Sequence, residues 1–76
     1  MGGKKGSITN HMRRIRVART DLTQAEMARR IGATRQTVIA IEAEKYAPSL
    51  ELAFRIAHVL ETPLIEVFKF DPKTMP

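Results

Sequence analysis

The side chains able to do chemistry in this 76-residue chain are few in kind and unevenly placed. Seven arginines fall within residues 13–38, where the only acids are Asp21 and Glu26. Residues 39–76 carry four basic groups against six acids, and Lys4 and Lys5 complete a formal charge of +5. A basic first half beside a mildly acidic second half suggests a polyanion-binding face backed by a surface with another purpose. Charge alone leaves an ordinary solvated surface as an equal competitor. Other chemistries lack their residues. There is no cysteine, and His11 and His58 stand far apart without thiol partners, so no disulfide, metal site or cofactor is expected. No Ser/Cys–His–acid set and no glycine-rich phosphate loop is present, so no enzyme is expected either.

Arginines read a polyanion selectively only if a scaffold aims them. The chain has room for one small domain, expected over residues 8–76, after a flexible Gly/Lys/Ser leader at residues 1–7 that is either native or added for expression. A domain this small must gain its stability from helical packing, a partner subunit, or both. Met12, Ile15 and Ala18 or Arg19 recur at helical spacing and predict a first helix closed by Thr20–Asp21. Thr23-Gln24-Ala25-Glu26 is a capping box, with Leu22 and Met27 placed as a hydrophobic staple. A second helix is therefore predicted from Gln24 to about Ile31, ended by Gly32 in a left-handed conformation. Thr34 caps a third helix, roughly Arg35 to Ala43, with Val38 and Ile41 facing inward. Ser49 caps a fourth, Leu50 to Leu60, whose apolar stripe is Leu52, Ile56, Val59 and Leu60. Pro63 opens a short fifth as its first helical residue. Val67–Phe70 alternates weakly and reads as a short strand or an extended tail.

Residues Thr23 to Glu42 thus spell a capped helix, a glycine-containing tight turn and a second capped helix. That is the layout of a helix-turn-helix, whose second helix presents its N-terminal residues to a major groove roughly 12 Å wide. Ala28 is small where the two helices meet, and Val38 anchors the second to the core. Leu22-Thr23-Gln24-Ala25-Glu26-Met27-Ala28, Ile31-Gly32-Ala33-Thr34-Arg35-Gln36-Thr37-Val38 and Ile41-Glu42 resemble the signature of the Cro/CI (Xre) family of prokaryotic and phage repressors. Lys45-Tyr46-Ala47-Pro48-Ser49-Leu50-Glu51-Leu52-Ala53 and Pro63-Leu64-Ile65-Glu66-Val67-Phe68 resemble its compact single-domain branch. The likeness spans about Met12 to Phe70.

The resemblance implies an all-α, five-helix, lambda-repressor-like DNA-binding domain, to which a small terminal two-stranded β element can be added. It implies that Gln24 contacts a phosphate and braces the recognition helix, and that Arg35 and Gln36 reach base edges. The chemistry agrees, since Arg pairs bidentately with guanine and Gln with adenine. Thr37 is expected on a phosphate or a thymine methyl, and Thr34 both caps the helix and turns neighbouring N–H groups to a phosphate. Two positions depart from the pattern. Ile39 stands where the family often has Ser or Asn; it touches either thymine methyls, the reading preferred, or the core. Ala43-Glu44 replaces the usual Asn-Gly, which removes a phosphate contact and puts an acid near the DNA; Lys45 compensates. Glu42 matches a buried glutamate that pairs with an arginine of the first helix, here Arg16 or Arg19, with Arg16 preferred because it leaves room for a normal helix end.

The remaining features have plain readings. Arg29, Arg30 and His58 are surface groups, Met27 is core, and Tyr46 packs at the turn. Phe68 and Phe70 are too few for a single-strand stacking platform. The expected function is a sequence-specific regulator, a repressor, reading double-stranded DNA at a palindromic operator as a homodimer. Dimerisation is expected through Leu64, Ile65, Phe68 and Phe70, with Val67–Phe70 free to pair with Ile8–Thr9. No apolar run approaches the roughly 18 residues of a membrane span, and no small-molecule effector is evident, so a cytoplasmic protein, nucleoid-associated when bound, is expected. The competing reading is an antitoxin or protein-interaction adaptor on the same fold, which need not keep Gln24, Arg35 and Gln36.

Overall fold

Three of the helices are set by side-chain caps at the front and left-handed residues at the back. The computed structural model describes residues 7–75, so the leader, apart from Ser7, lies outside the described residues. In order the elements are β1 (Ile8–Asn10), α1 (Met12–Arg19), α2 (Gln24–Ile31), α3 (Arg35–Glu42), α4 (Leu50–Val59), α5 (Leu64–Val67) and β2 (Phe68–Phe70), then a 3-10 turn at Pro72–Thr74. Among the described residues, five helices and one two-stranded sheet make the expected all-α architecture with its small β element. The Thr23 hydroxyl accepts from the Glu26 N–H at 3.1 Å while the Glu26 carboxylate accepts from the Thr23 N–H at 2.9 Å, completing the capping box. Thr34 and Ser49 accept from the amides of Thr37 and Leu52 in the same way.

Helices α2, α3 and α4 close through residues of positive φ: Gly32 at 74°, Glu44 at 61° and Glu61 at 51°. In each case the following amide reaches back to satisfy a helix carbonyl: Ala33 to Ala28, Lys45 to Ala40 and Thr62 to Ala57. Gly32 is constrained twice, because an added Cβ would also lie 2.9 Å from the Arg55 guanidinium. Arg55 sits there to donate to the Ile31 carbonyl, tying α4 to the end of α2. The two glutamates adopt a conformation that costs an L-residue on the order of 1 kcal/mol.

The core takes Met12 from α1, Met27, Ala28 and Ile31 from α2, Val38 and Ile41 from α3, Ile56 and Ala57 from α4, Leu60, and Val67 from α5. Helix α3 packs on α2, α2 on α4, and α4 on α5. Two details differ from the sequence reading. Pro63 is the residue before α5 rather than its first: its ψ of 142° is extended, and its carbonyl receives the amides of Glu66 and Val67. The inner stripe of α4 is Ala53, Ile56, Ala57 and Leu60, whereas Leu52 and Val59 are half-buried. Alanines carry little hydrophobic signal, yet they occupy the positions where neighbouring backbones come close. That rotation leaves Leu50 and Phe54 outside. Strands β1 and β2 pair antiparallel with Ile8 opposite Phe70, Thr9 opposite Lys69 and Asn10 opposite Phe68.

Candidate nucleic-acid interface

Thr34 fixes where α3 starts, and therefore which side chains stand at its tip. Its hydroxyl accepts the Thr37 N–H and lies 3.0 Å from the Thr37 hydroxyl. Arg35 and Gln36 follow at once. Both are exposed, and neither side chain has a partner among the described residues. Ile39 lies four residues beyond Arg35 and three beyond Gln36, hence on their face of the helix, and is half-buried. Lys45 is exposed just past the left-handed turn. Thr37 is half-buried with its hydroxyl already engaged, leaving it limited capacity for a further contact.

The opposite end of α3 is held by a polar knot. Glu42 has a side chain only 3% exposed, beside an Arg16 side chain at 9%. The two carboxylate oxygens receive Arg16 Nε at 2.8 Å and Nη2 at 3.2 Å, a bidentate pair. Gln24 Nε2 adds a third bond to Glu42 at 3.1 Å, and Arg16 Nη1 reaches the Leu22 carbonyl at 2.9 Å. One carboxylate thereby joins α1, the entrance to α2 and the end of α3. Arg16, not Arg19, meets Glu42; Arg19 donates instead to the Thr62 hydroxyl at 3.2 Å. With the pair buried and hydrogen-bonded, removing one member would strand the other charge.

Glu44 turns away from the role that its sequence position suggested. Its carboxylate accepts the Asn10 N–H at 3.0 Å, directing the acid toward the β1–α1 junction. Asn10 was not legible as a contributor, since two of its three bonds join segments more than thirty residues apart in sequence. Arg13, Arg14, Arg29 and Arg30 are exposed surface cations. The Thr23 N–H holds the Glu26 carboxyl below its ordinary 4.5, with the Thr23 hydroxyl, Arg29 and Arg30 acting in the same direction.

Leu64, Ile65, Phe68 and Phe70 lie in and around α5 and β2. Ile65 is 75% exposed, Phe70 is exposed, and Leu64 and Phe68 are half-buried against the core. Leu50, at 70%, and Phe54 are exposed on α4. Leu50, Leu64 and Phe68 share an apolar groove with Ile8, Ala47, Pro48 and Ala53. The sequence reading missed Leu50 and Phe54 because they lie within an amphipathic helix whose facing cannot be fixed without its neighbours. Among the described residues no helix is long and apolar enough to cross a membrane.

Residues 12–67 match the helix-turn-helix family. The chain is similar to an uncharacterized HTH-type transcriptional regulator of Archaeoglobus fulgidus, 40% identical over 58 residues that cover 76% of this chain and 82% of the relative. It is 45% identical over 51 residues to another such regulator of Methanocaldococcus jannaschii, covering 67% of this chain and 77% of the relative. A Bacillus subtilis protein of the same description is 39% identical over 61 residues, covering 80% and 91%.

Proposed function

The chain belongs to the helix-turn-helix family of DNA-binding transcriptional regulators, of the Cro/CI (Xre) type, and from that premise we propose that it reads the major groove of a palindromic operator as a homodimer and represses by occupying it. The observation that carries this reading is the pair Arg35 and Gln36, exposed side by side at the start of a helix that is rigidly held at its far end. Arg35 presents a planar fork suited to guanine O6 and N7, and Gln36 an amide suited to adenine N6 and N7. Gln24, Thr34 and Thr37 supply phosphate contacts at the edge of the groove, Ile39 packs on a thymine methyl, and Lys45 meets the backbone beyond. Repression by occupancy requires no activity beyond binding.

The homodimer is supported by the apolar face. Leu50, which lines the apolar groove, and Phe54, Ile65 and Phe70 on α4, α5 and β2 are exposed in the half of the chain where acids outnumber bases. A second copy would cover these residues with little charge repulsion and would double the base contacts. The same face favours the antitoxin or adaptor reading, in which another protein covers it. Sedimentation of the chain alone separates the two. The expected result is a dimer at micromolar concentration, reduced to monomer by Phe54→Glu or Ile65→Glu. Selection from random DNA should return a palindrome with half-sites about one helical turn apart. A monomeric chain that selects no sequence would overturn the proposal.

A further inference from the structure

A dimeric reader must hold its recognition helix at a set angle to the surface on which its partner docks. Most of α3 is positioned by packing on α2 and its last residue by the Glu42–Arg16 pair, while Asn10 ties the same end to the sheet. Asn10 ends β1 opposite Phe68, next to the apolar groove. Its Nδ2 donates to the Ile41 carbonyl in α3 at 2.8 Å, and its Oδ1 accepts the Met12 N–H that opens α1 at 2.9 Å. Its own N–H donates to the Glu44 carboxylate at 3.0 Å. The neighbouring His11 N–H donates to the Val67 carbonyl at 2.8 Å, joining the same junction to the end of α5.

Glu44 makes this arrangement informative. It sits at a φ of 61°, where glycine would be unstrained. Glu61 closes α4 at a similar angle, so strain by itself does not distinguish the two sites. What distinguishes Glu44 is that its carboxylate reaches across to the sheet.

We propose that the Asn10–Glu44 link is the element that sets half-site spacing, by fixing the end of the recognition helix to the sheet beside the dimer face. This inference rests on the dimeric, DNA-reading function proposed above. Asn10 and Glu44 are positioning residues: they act on DNA through α3. Each base pair added between half-sites moves one of them by about 3.4 Å and turns it by roughly 35°. A stiff link refuses that displacement, and a loosened one follows it.

The test measures the affinity of the full chain for operator DNA whose centre is lengthened or shortened by one base pair. The variants are Asn10→Asp, Glu44→Gly and Glu61→Gly. Asn10→Asp keeps the acceptor for Met12 but removes the donor to Ile41 and sets a second charge beside Glu44. Glu44→Gly removes the carboxylate while relieving the backbone, which favours folding. Glu61→Gly relieves the same strain without touching the link. The wild type should lose about tenfold or more per altered spacer, and the two link variants only about threefold. Glu61→Gly should keep the wild-type penalty, and all three should show wild-type discrimination between bases within a half-site. A tenfold penalty retained by both link variants, or an equal loss in Glu61→Gly, overturns the inference while leaving the dimeric reader intact. A wild type indifferent to spacing overturns the dimeric reading itself, and the inference with it.

Discussion

Arginine and glutamine occur as partners twice around α3, and the two pairs are used in opposite ways. At the C-terminal end of α3, Arg16 and Gln24 converge on Glu42, and the carboxylate receives three hydrogen bonds in near-complete burial. At its N-terminal end, Arg35 and Gln36 are exposed and without partners among the described residues. The same donor groups thus hold a helix at one end and remain open to a ligand at the other. A fork satisfied inside the protein gives rigidity, while a fork left unsatisfied in water exchanges its hydration for a base edge at little cost. Specific reading requires both, since an open guanidinium on a loose helix would sample many bases.

The sharpest way to break the contrast is Glu42→Ala. It leaves the Arg16 guanidinium buried without its counter-charge and should cost about 3–5 kcal/mol, a large share of the stability of a domain this size. Thermal melting by circular dichroism is expected to fall by tens of degrees or to vanish. A shift of a degree or two would mean that the knot contributes little to rigidity.

Arg35→Ala probes the other end. Its expected effect is a loss of about 1–3 kcal/mol in operator affinity and relaxed preference at one base pair, with the melting temperature unchanged. If operator and random DNA weaken equally, Arg35 is a phosphate contact and not a base reader.

Gln24→Ala sits between the two. One of its two amide N–H donors is used on Glu42, so the variant should lose about 1–2 kcal/mol of stability. Its place at the entrance to α2 predicts weaker binding to all sequences alike. Melting curves together with affinities for operator and random DNA read both consequences, and an effect on binding without one on stability would separate Gln24 from the knot.

The smallest effect concerns the capping box. The Thr23 N–H holds the Glu26 carboxyl below its ordinary 4.5, so the ionised form is favoured in the folded chain. That contribution is present above pH 4.5 and is lost as pH falls through the lower folded value. Glu26→Gln should therefore lower the melting temperature slightly at neutral pH and flatten its decline in acid. An unchanged acid limb would show that the carboxylate does not contribute to the cap.

Local features of the chain determined where the helices begin and end. A capping box needs only Thr23 and Glu26 three residues apart, and Gly32 closes α2 because glycine tolerates positive φ. The order Thr34-Arg35-Gln36 likewise placed an arginine and a glutamine on the first turn of a helix without reference to the rest of the fold. Tertiary structure decided what local spacing leaves undetermined. Arg16 and Arg19 both lie on α1, and only the approach of α3 assigns Arg16 to Glu42 and leaves Arg19 to Thr62. The inner face of α4 passes through Ala53 and Ala57 because other helices come close there, which turns Leu50 and Phe54 outward. Glu44 reaches Asn10 because β1 pairs with β2 and returns the N-terminus to the end of α3. Spacing along one helix is enough to place a cap, whereas a bond between segments thirty residues apart depends on how the whole chain closes.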